Sequence, residues 1–533
     1  MSSSNLATET TSLLSNNQPK DVSSDKPKIS AWKTLPAIWV GSFLSALDMT
    51  VVASLYPVIG SEFDSLNYSS FIATSYLITN TAFQPLYGRL SDIFGRRTML
   101  LFANTVFMLG TVWCGFARSL GELCLARAFA GIGGGGLTTL SSICGSDIVS
   151  LRERGTWQGF ANIVFGIGGS LGGPFGGFVN ARWGWRSAFL LQVPLCLGSI
   201  ALVSWRVRLP TKDDGVSSKQ KLARIDYLGS FLLVSAVTTM VTLFTFGGDR
   251  FAWMSPVSLA LTALFGFLTV MFYIVERDYA REPIAPMKVL RERTPLCAYI
   301  GNFTNALCSF AVMYEVPLFF EAVLFQNSEE AGARMFPMVL SIPVGSLSAG
   351  LYMKRTGTYR GAVIFGFTAM LCTLFTFMFL FRRGQGVSLK YIGVALGMAG
   401  LSYGTSLTST LISIISALPI EYQAISTGVS YLFRATGSVV GISMGQTALQ
   451  ATLTSSLHRS LEDIPDKESL IDAIRRSVTV VPTLPKHIQK IVVHSYVQAF
   501  IASFALIAVF GLIGFLSSLF IRQHVLYSTV DRR

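Results

Sequence analysis

The feature that most constrains this chain is a series of fourteen apolar runs separated by polar segments. Each run is about long enough to cross the hydrocarbon core of a bilayer as one helix. Only 13% of the residues are charged, whereas a soluble domain carries about 25%. We therefore expect an all-α membrane protein. The expected spans are 36–60, 71–87, 98–117, 122–145, 156–179, 187–205, 226–247, 254–275, 295–317, 332–352, 361–381, 388–416, 428–450 and 496–520.

The positions of lysine and arginine predict how the chain is oriented in the membrane. Both ends of the chain, and the loops that follow an even number of spans, carry most of these residues. Since cytoplasmic loops are enriched in lysine and arginine, we expect both termini to face the cytosol. The same pattern accounts for the net charge of +13, so no nucleic-acid partner is expected.

The sequence lacks the features of an enzyme or a metalloprotein. All seven cysteines fall inside expected spans, so no disulfide framework is expected outside the membrane. Metal-ligand spacings, nucleophile–base pairs and phosphate-binding loops are not found in the sequence. We therefore expect no metal, no cofactor and no enzymatic activity.

The segment 88–97, Gly-Arg-Leu-Ser-Asp-Ile-Phe-Gly-Arg-Arg, connects the second and third spans as a tight polar turn. Gly88 and Gly95 permit close backbone approach and turning, while Arg96 and Arg97 place positive charge at the membrane surface. An ordinary cytoplasmic loop would also be positive, but the pattern Gly-x-Leu-x-Asp-x-x-Gly-Arg-Arg is more specific than charge. It resembles the loop between helices 2 and 3 of the major facilitator superfamily of secondary transporters at every defining position. We name it the signature loop.

The resemblance to this superfamily covers nearly all of residues 36–520. Two further stretches indicate which of its branches the chain resembles. The stretch 47–59 is similar to the first-helix motif of the fourteen-span drug:proton antiporter branch. The stretch 185–194, Trp-Arg-x-x-Phe-x-x-Gln-Val-Pro, resembles fungal vacuolar amino acid transporters.

The resemblance implies two six-helix bundles related by pseudosymmetry, and fourteen spans then leave two extra helices. An eroded copy of the signature loop at 353–360 supports two related halves. The predicted units are a disordered cytosolic tail at 1–35, an N-terminal bundle at 36–205, a cytosolic linker at 206–225, two inserted helices at 226–275, a C-terminal bundle at 276–520 with a lumenal loop at 453–495, and a cytosolic tail at 521–533.

The N-terminal tail contains Glu9, Leu13 and Leu14 in the spacing of an acidic dileucine sorting signal. In such a signal, a carboxylate and two leucines occupy separate pockets of an adaptor complex. A match of six residues arises easily by chance, so an inert tail is the alternative interpretation.

Asp48 and Arg127 are ionisable residues inside the first and fourth expected spans. A charge in the bilayer interior costs about 3 kcal/mol or more, so such residues are functional candidates. A low dielectric favours the neutral acid, and we predict that Asp48 binds protons or substrate. Arg127 needs a carboxylate, backbone carbonyls or water as its partner, and the resemblance implies a role in proton transfer. The alternative for both residues is structural, with buried polar contacts holding helices together.

Glu315 and Arg434 are two further ionisable residues in expected spans. Glu315 is predicted to bind substrate or a proton. The resemblance implies a neutral residue at this position, and the added acid suits a cationic substrate. The alternative is a position at the lumenal interface. Arg434 is expected to extend its guanidinium to the cytoplasmic interface.

Charged residues of the loop between spans 4 and 5 are predicted to pair with the signature loop when the cytoplasmic side closes. Such contacts would form a latch that is made in one state and broken in the other. The residues concerned are Asp147, Arg152, Glu153 and Arg154 in one loop and Asp92, Arg96 and Arg97 in the other.

Span 5 contains Gly169-x-x-x-Gly173-Pro174-x-Gly176-Gly177, which resembles the antiporter motif. Glycine allows close helix packing, and proline removes one helix hydrogen bond and favours a kink. A generic interface of small residues is the alternative interpretation.

The sequence therefore predicts a proton-coupled antiporter whose two bundles rock about a central site. The resemblance implies an amino acid as the small-molecule substrate, basic ones in particular, moved from the cytosol across the vacuolar membrane. A plasma-membrane exporter of drugs or toxins is an alternative. A non-transporting receptor or sensor on the same fold is an alternative of another class.

Overall fold

The computed structural model describes residues 30–64, 68–209, 217–248, 251–280, 282–461, 467–476 and 478–526. Within these residues the chain folds into fourteen long helical segments, as many as the sequence predicts. They are α1 (Ala31–Glu62), α2 (Ser70–Phe94), α3 (Arg96–Phe116), α4 (Leu120–Ile148), α5 (Leu151–Trp183), α6 (Trp185–Leu190 and Val193–Arg206), α7 (Tyr227–Phe246), α8 (Pro256–Ile274, continued by a π-helical turn at Val275–Tyr279), α9 (Arg293–Ala322), α10 (Phe336–Thr356), α11 (Arg360–Phe381), α12 (Leu389–Ala417), α13 (Gln423–Ser460) and α14 (Lys486–Leu519). Shorter helices span Ser218–Ala223, Met287–Arg291, Ser328–Ala333 and Lys467–Arg476, with 3-10 turns at Gly384–Gly386, Ile420–Tyr422 and Val478–Thr483.

Ten of the long segments in the described residues are both long enough and apolar enough to cross a membrane. The other four, α2, α5, α12 and α13, are as long but more polar. Their polar and small residues pack against other helices. In α12, for example, the hydroxyl-bearing Ser402, Thr405 and Ser409 are all buried. Such a helix can cross a bilayer because neighbouring helices satisfy its polar groups.

The helices form two bundles, one of α1–α6 and one of α9–α14. Each bundle has its own buried apolar core, with Phe107 in the first and Phe377 in the second. The bundles meet mainly along two helix pairs, α5 with α10 and α2 with α13. These two seams enclose the space in which a site between the bundles can form.

The α7–α8 hairpin lies beside the two bundles. Helix α7 packs against both α2 and α13, so it covers one of the two seams. Phe71 of α2 stacks on Phe246 of α7, with ring centroids 4.4 Å apart. Helix α8 packs on α7 and buries few of its own side chains. An apolar helix with so much exposed surface is suited to contact with lipid.

The first and last described residues lie at the same end of the molecule. Trp32 of α1 packs against Trp157 near the start of α5, with ring centroids 4.7 Å apart. Near the other terminus, the Tyr359 hydroxyl donates a hydrogen bond to the Arg522 carbonyl over 2.6 Å. The signature loop joins α2 to α3 at this end, which we name the signature-loop end, and we name the opposite end the far end. The predicted sorting signal, Glu9, Leu13 and Leu14, lies outside the described residues.

The segment 453–495 is more structured than the predicted loop. Helix α13 continues to Ser460 and α14 begins at Lys486, so both helices extend well beyond their expected spans. Between them, Ile471, Ile474 and Val481 are buried against the core of the second bundle. This packing could not be predicted from the sequence, because charged residues are interspersed among the few apolar ones and no apolar run results.

Candidate functional site

A buried ion pair joins α1 to α4. Nη1 of Arg127 donates a hydrogen bond to Oδ2 of Asp48 over 2.5 Å, and the two side chains are 1% and 0% exposed. The sequence nominates each residue separately, and the structure brings them together. Removing either partner would leave an uncompensated buried charge. Oδ1 of Asp48 has no hydrogen-bond partner among the described residues, so the carboxyl group retains an acceptor for a proton or a water molecule.

Aromatic rings flank the guanidinium of Arg127. Its central carbon lies 4.3 Å from the centre of the Tyr76 ring and 5.9 Å from that of Phe189. The Tyr76 hydroxyl lies within 2.9 Å of Oγ of Ser45 on α1. A desolvated cation–π contact stabilises the cation by about 2 kcal/mol. Arg127 therefore keeps a favourable partner when the charge of Asp48 is neutralised.

Glycine residues bring the helices close enough for this pair to form. A side-chain carbon on Gly131 of α4 would collide with the carbonyl oxygen of Tyr76. One on Gly168 of α5 would lie 2.5 Å from the carbonyl oxygen of Phe43 on α1. Backbone contact of this kind needs glycine, and it places α1, α2, α4 and α5 around Asp48 and Arg127.

Glu315 is enclosed in the second bundle, on α9. Its Oε1 accepts a hydrogen bond from Oγ of Ser503 on α14 over 2.7 Å and lies against Gly445 of α13. Its Oε2 has no hydrogen-bond partner among the described residues, and the side chain is 1% exposed. The structure thus places Glu315 inside the second bundle, whereas Asp48 lies in the first.

The signature loop forms a charged cluster within the first bundle. Gly95 connects α2 to α3 with a φ of 89°, a conformation that favours glycine. Arg96 lies 2.7 Å from Oδ1 of Asp92 and 2.8 Å from Oδ2 of Asp147. Arg97 donates a hydrogen bond to the Ser204 carbonyl over 2.6 Å. The cluster therefore ties α2, α3, α4 and α6 together.

Arg152 and Glu153 contact α10 and not this cluster, so the predicted pairing is wrong for these two residues. Glu153 instead pairs with Nζ of Lys354 on α10 at 2.7 Å, and Arg152 donates to the Lys354 carbonyl over 2.9 Å. Arg154 turns inward and donates to the Ser142 carbonyl over 3.4 Å. These residues form the first turn of α5, where successive side chains point in different directions. The charged first turn of α5 therefore joins the first bundle to α10 of the second.

The two bundles touch at the signature-loop end and part towards the far end. A side-chain carbon on Gly88 of α2 would lie 2.7 Å from the carbonyl oxygen of Ala424 on α13. On the other seam, Nδ2 of Asn162 on α5 donates to Oγ of Ser346 on α10 over 2.7 Å. Further along the same face of α5, the glycines of the antiporter motif meet open space. A cleft therefore opens towards the far end.

The predicted close packing at Gly169, Gly173 and Gly177 is wrong. A side-chain carbon at any of the three would have no neighbouring atom within 4 Å. The glycines that pack against α1 are Gly168, Gly172 and Gly176. One residue turns a helix by about 100°, so this glycine-rich stretch serves two faces, one packed and one open. Pro174 lies within α5, which continues past it to Trp183.

Arg434 lies between the bundles, so the expected position at the cytoplasmic interface is wrong. Helix α13 begins at Gln423, which places Arg434 three turns inside the helix. Its guanidinium carbon lies 4.0 Å from the centre of the Tyr431 ring. With Gln158 of α5 and Asn302 of α9, it lines a small cavity between the bundles.

Two ion-pair sites escape the sequence analysis. Glu282, which follows α8, pairs with Arg89 of the signature loop at 2.6 Å and with Arg224 at 2.5 Å. At the far end, Glu62 pairs with Arg186 at 2.5 Å and accepts a hydrogen bond from Nε1 of Trp185. Partners so distant in sequence cannot be read from spacing. The available signals are Arg89 within the signature loop and Arg186 within the stretch 185–194.

Comparison with known proteins establishes the family. The family model described as Major Facilitator Superfamily matches residues 38–442. This chain belongs to the major facilitator superfamily. The solved structure of the human organic anion transporter MFSD10 (TETRAN) aligns with a TM-score of 0.59 at 14% identity, over 91% of this chain and 99% of that one. The predicted family and the predicted all-α fold are therefore confirmed, and the chain is a transporter of this superfamily.

The relatives of this chain include both drug-resistance proteins and vacuolar amino acid transporters. "Multidrug resistance protein fnx1" of Schizosaccharomyces pombe is 57% identical, over 99% of each chain. "Vacuolar membrane amino acid uptake transporter fnx2" of the same yeast is 39% identical, over 93% of this chain and 85% of that one. "Vacuolar basic amino acid transporter 1" of Saccharomyces cerevisiae is 33% identical, over 92% of each chain. The predicted likeness to fungal vacuolar amino acid transporters is confirmed.

Proposed function

We propose that this chain is a proton-coupled antiporter that moves amino acids, basic ones in particular, from the cytosol into the vacuole. The observation that carries the proposal is the ion pair between Asp48 and Arg127, buried in the first bundle at 2.5 Å. Proton coupling needs a group that changes its charge where water does not screen that change. The relatives named as vacuolar amino acid transporters support the cargo and the location.

The transport cycle uses the two protonation states of Asp48. When Asp48 is ionised, its attraction for Arg127 holds α1 against α4. When a proton neutralises Asp48, that attraction is lost and Arg127 is left with the Tyr76 ring. The change favours the other arrangement of the two bundles. Lumenal protons load Asp48 and lower the affinity for cargo, which leaves into the lumen, and the protons then exit to the cytosol.

We assign proposed roles to the remaining candidate residues. Asp48 or Glu315 receives the cationic side chain of a basic amino acid, and Glu315 can also hold a second proton. The signature-loop cluster of Asp92, Arg96 and Asp147 keeps the first bundle rigid while it rocks. The chain transports its cargo and does not convert it chemically.

The basic loops support a cytosolic signature-loop end, with both termini in the cytosol. The far end then faces the vacuolar lumen, and the cleft in this conformation is open to the lumen. Glu9, Leu13 and Leu14 would direct the protein to the vacuolar membrane through an adaptor complex.

The proposal is tested by uptake of labelled lysine, arginine, histidine and neutral amino acids into acidified vacuolar vesicles. Vesicles that contain the protein should accumulate basic amino acids faster than vesicles that lack it. Collapse of the pH gradient should abolish the difference. Equal uptake with and without the protein, at an intact gradient, would overturn the proposal.

An exporter of drugs at the plasma membrane is the second candidate, favoured by the 57% identity to a relative named as a multidrug resistance protein. A fluorescent tag on the protein separates the two locations. Signal at the plasma membrane, together with drug sensitivity on deletion, would favour the exporter. A receptor or sensor would move no solute in purified liposomes.

A further inference from the structure

Arg434 is a cation at about the mid-depth of the membrane. It lies eleven residues after Gln423, the first residue of α13, which is about 16 Å along a helix. The hydrocarbon core of a bilayer is about 30 Å thick. Arginine in this region requires a partner that compensates its charge.

The protein supplies only part of that compensation. No ion pair or hydrogen bond joins Arg434 to another residue in the part of the chain that the structure describes, and its guanidinium stacks on Tyr431 with 4.0 Å to the ring centre. Arg127 of the first bundle, by contrast, has both a ring and a carboxylate. Among the described residues, Arg434 therefore has no carboxylate partner of the kind that Arg127 has in Asp48.

The cavity beside Arg434 is lined by groups that suit an anion. Ser430 accepts a hydrogen bond from Nδ2 of Asn302 over 2.8 Å, which leaves its own hydroxyl proton free to be donated. Oδ1 of Asn302 is in turn held by Thr410 over 2.7 Å. No Asp or Glu is among the residues that line this cavity. The Arg434 guanidinium and the Ser430 hydroxyl are thus two donors that a ligand in this cavity could reach.

The cavity can change size because the two bundles share its wall. Its volume is about 10 Å³, enough for roughly one water molecule. Gln158 of α5 closes it from the first bundle, while Asn302, Ser430 and Arg434 belong to the second. Gln158 lies one turn from Asn162, whose hydrogen bond to Ser346 joins α5 to α10. Separation of α5 from α10 would therefore open the cavity.

We infer that Arg434 and Ser430 bind the α-carboxylate of the transported amino acid. The inference rests on the proposed function and adds to it the group that selects amino acids over amines. The carboxylate enters when α5 and α10 are apart. It is displaced when Gln158 returns and the cavity shrinks to the size seen here, so the site discharges its cargo as the signature-loop end closes.

The test compares lysine with cadaverine, which is lysine without its carboxylate, as competitors for labelled lysine on the purified full-length protein. Wild-type protein should bind lysine at least tenfold more tightly than cadaverine. Arg434→Gln should weaken lysine binding about tenfold or more, since a charge-assisted bond is lost, and should leave cadaverine binding nearly unchanged. The exposed Arg383→Gln serves as the matched control and should behave as wild type.

Different results would overturn either the inference about Arg434 or the proposed function itself. Equal affinity of the wild type for lysine and cadaverine overturns the inference. So does an Arg434→Gln variant that prefers lysine over cadaverine as strongly as the wild type does. If Arg434→Gln does not fold, Arg434→Lys keeps the charge and should lose part of the preference for lysine, and an undiminished preference would also overturn the inference. If the wild type binds no amino acid, the proposed function itself fails.

Discussion

At the scale of residues, Asp48 and Arg127 depend on one another. Their side chains are 0% and 1% exposed, and each is the other's ion-pair partner. Loss of one charge from such a pair costs about 3–5 kcal/mol, whereas loss of both costs much less. Stability and coupling can therefore be separated by substitutions at these two positions.

We expect Asp48→Asn to abolish uptake driven by a pH gradient while protein remains in the membrane. The reason is that an amide cannot take up and release a proton. Because Arg127 is then unpaired, the variant should also unfold at a lower temperature. Adding Arg127→Gln should restore much of the lost thermal stability but none of the coupling. Full coupled uptake by Asp48→Asn would remove Asp48 from the mechanism.

The far-end pair of Glu62 and Arg186 provides a pH prediction outside the apolar spans. A hydrogen bond from the Arg186 guanidinium holds the pKa of Glu62 below its usual range. A carboxyl group with a lowered pKa stabilises the folded state above its unfolded pKa of about 4.3. That stabilisation is lost as pH falls through the lower folded value. The pair should therefore remain intact at mildly acidic pH.

Glu62→Gln should lower the thermal unfolding midpoint slightly between about pH 5 and 7, and the difference should shrink below about pH 4. The cost should be at most about 1 kcal/mol, because both side chains are more than one-third exposed. Melting curves at several pH values measure it. The exposed Glu421→Gln is the control and should show no such dependence. A difference that grows on acidification would contradict the assignment.

At the scale of elements, α5 is organised as two glycine faces one residue apart. Gly168→Ala should destabilise the protein, because the new carbon would lie 2.5 Å from the Phe43 carbonyl oxygen and 3.2 Å from Cβ of Ala46. Gly169→Ala should be neutral or stabilising by up to about 1 kcal/mol, because its carbon meets open space and alanine favours a helix. Thermal unfolding of the two variants compares them directly. Equal loss of stability would refute the assigned faces.

In the proposed transport cycle, the seam between α5 and α10 opens when the two bundles rock. Nδ2 of Asn162 and Oγ of Ser346 are in contact across it at 2.7 Å, so a short bifunctional methanethiosulfonate should cross-link Asn162→Cys to Ser346→Cys through its two disulfides. The cross-linked protein should lose at least about tenfold in uptake and recover on reduction. Each single cysteine variant, treated in the same way, is the control. Uptake that is unaffected by a confirmed cross-link would show that this seam does not open.

At the scale of the whole molecule, the sequence predicts the fold well because membrane-spanning runs and loop charges are local properties. Asp48 and Arg127 could be nominated because ionisable residues in apolar runs are rare. Their contact could not be predicted, because it depends on how α1 and α4 are rotated about their own axes. Helix rotation also explains why the predicted close packing at Gly169 is wrong, because a shift of one residue along α5 moves a side chain from the packed face to the open face. The expectation for Arg434 is wrong because α13 begins at Gln423, ahead of the expected span at 428–450.

The most direct test of the central claim is lysine transport by the purified protein in liposomes with an acidic interior. We expect labelled lysine to accumulate inside, with protons leaving as lysine enters, and we expect Asp48→Asn to do neither. Accumulation that is indifferent to the pH gradient, or that persists unchanged in Asp48→Asn, would contradict a transport cycle based on the ion pair of Asp48 and Arg127.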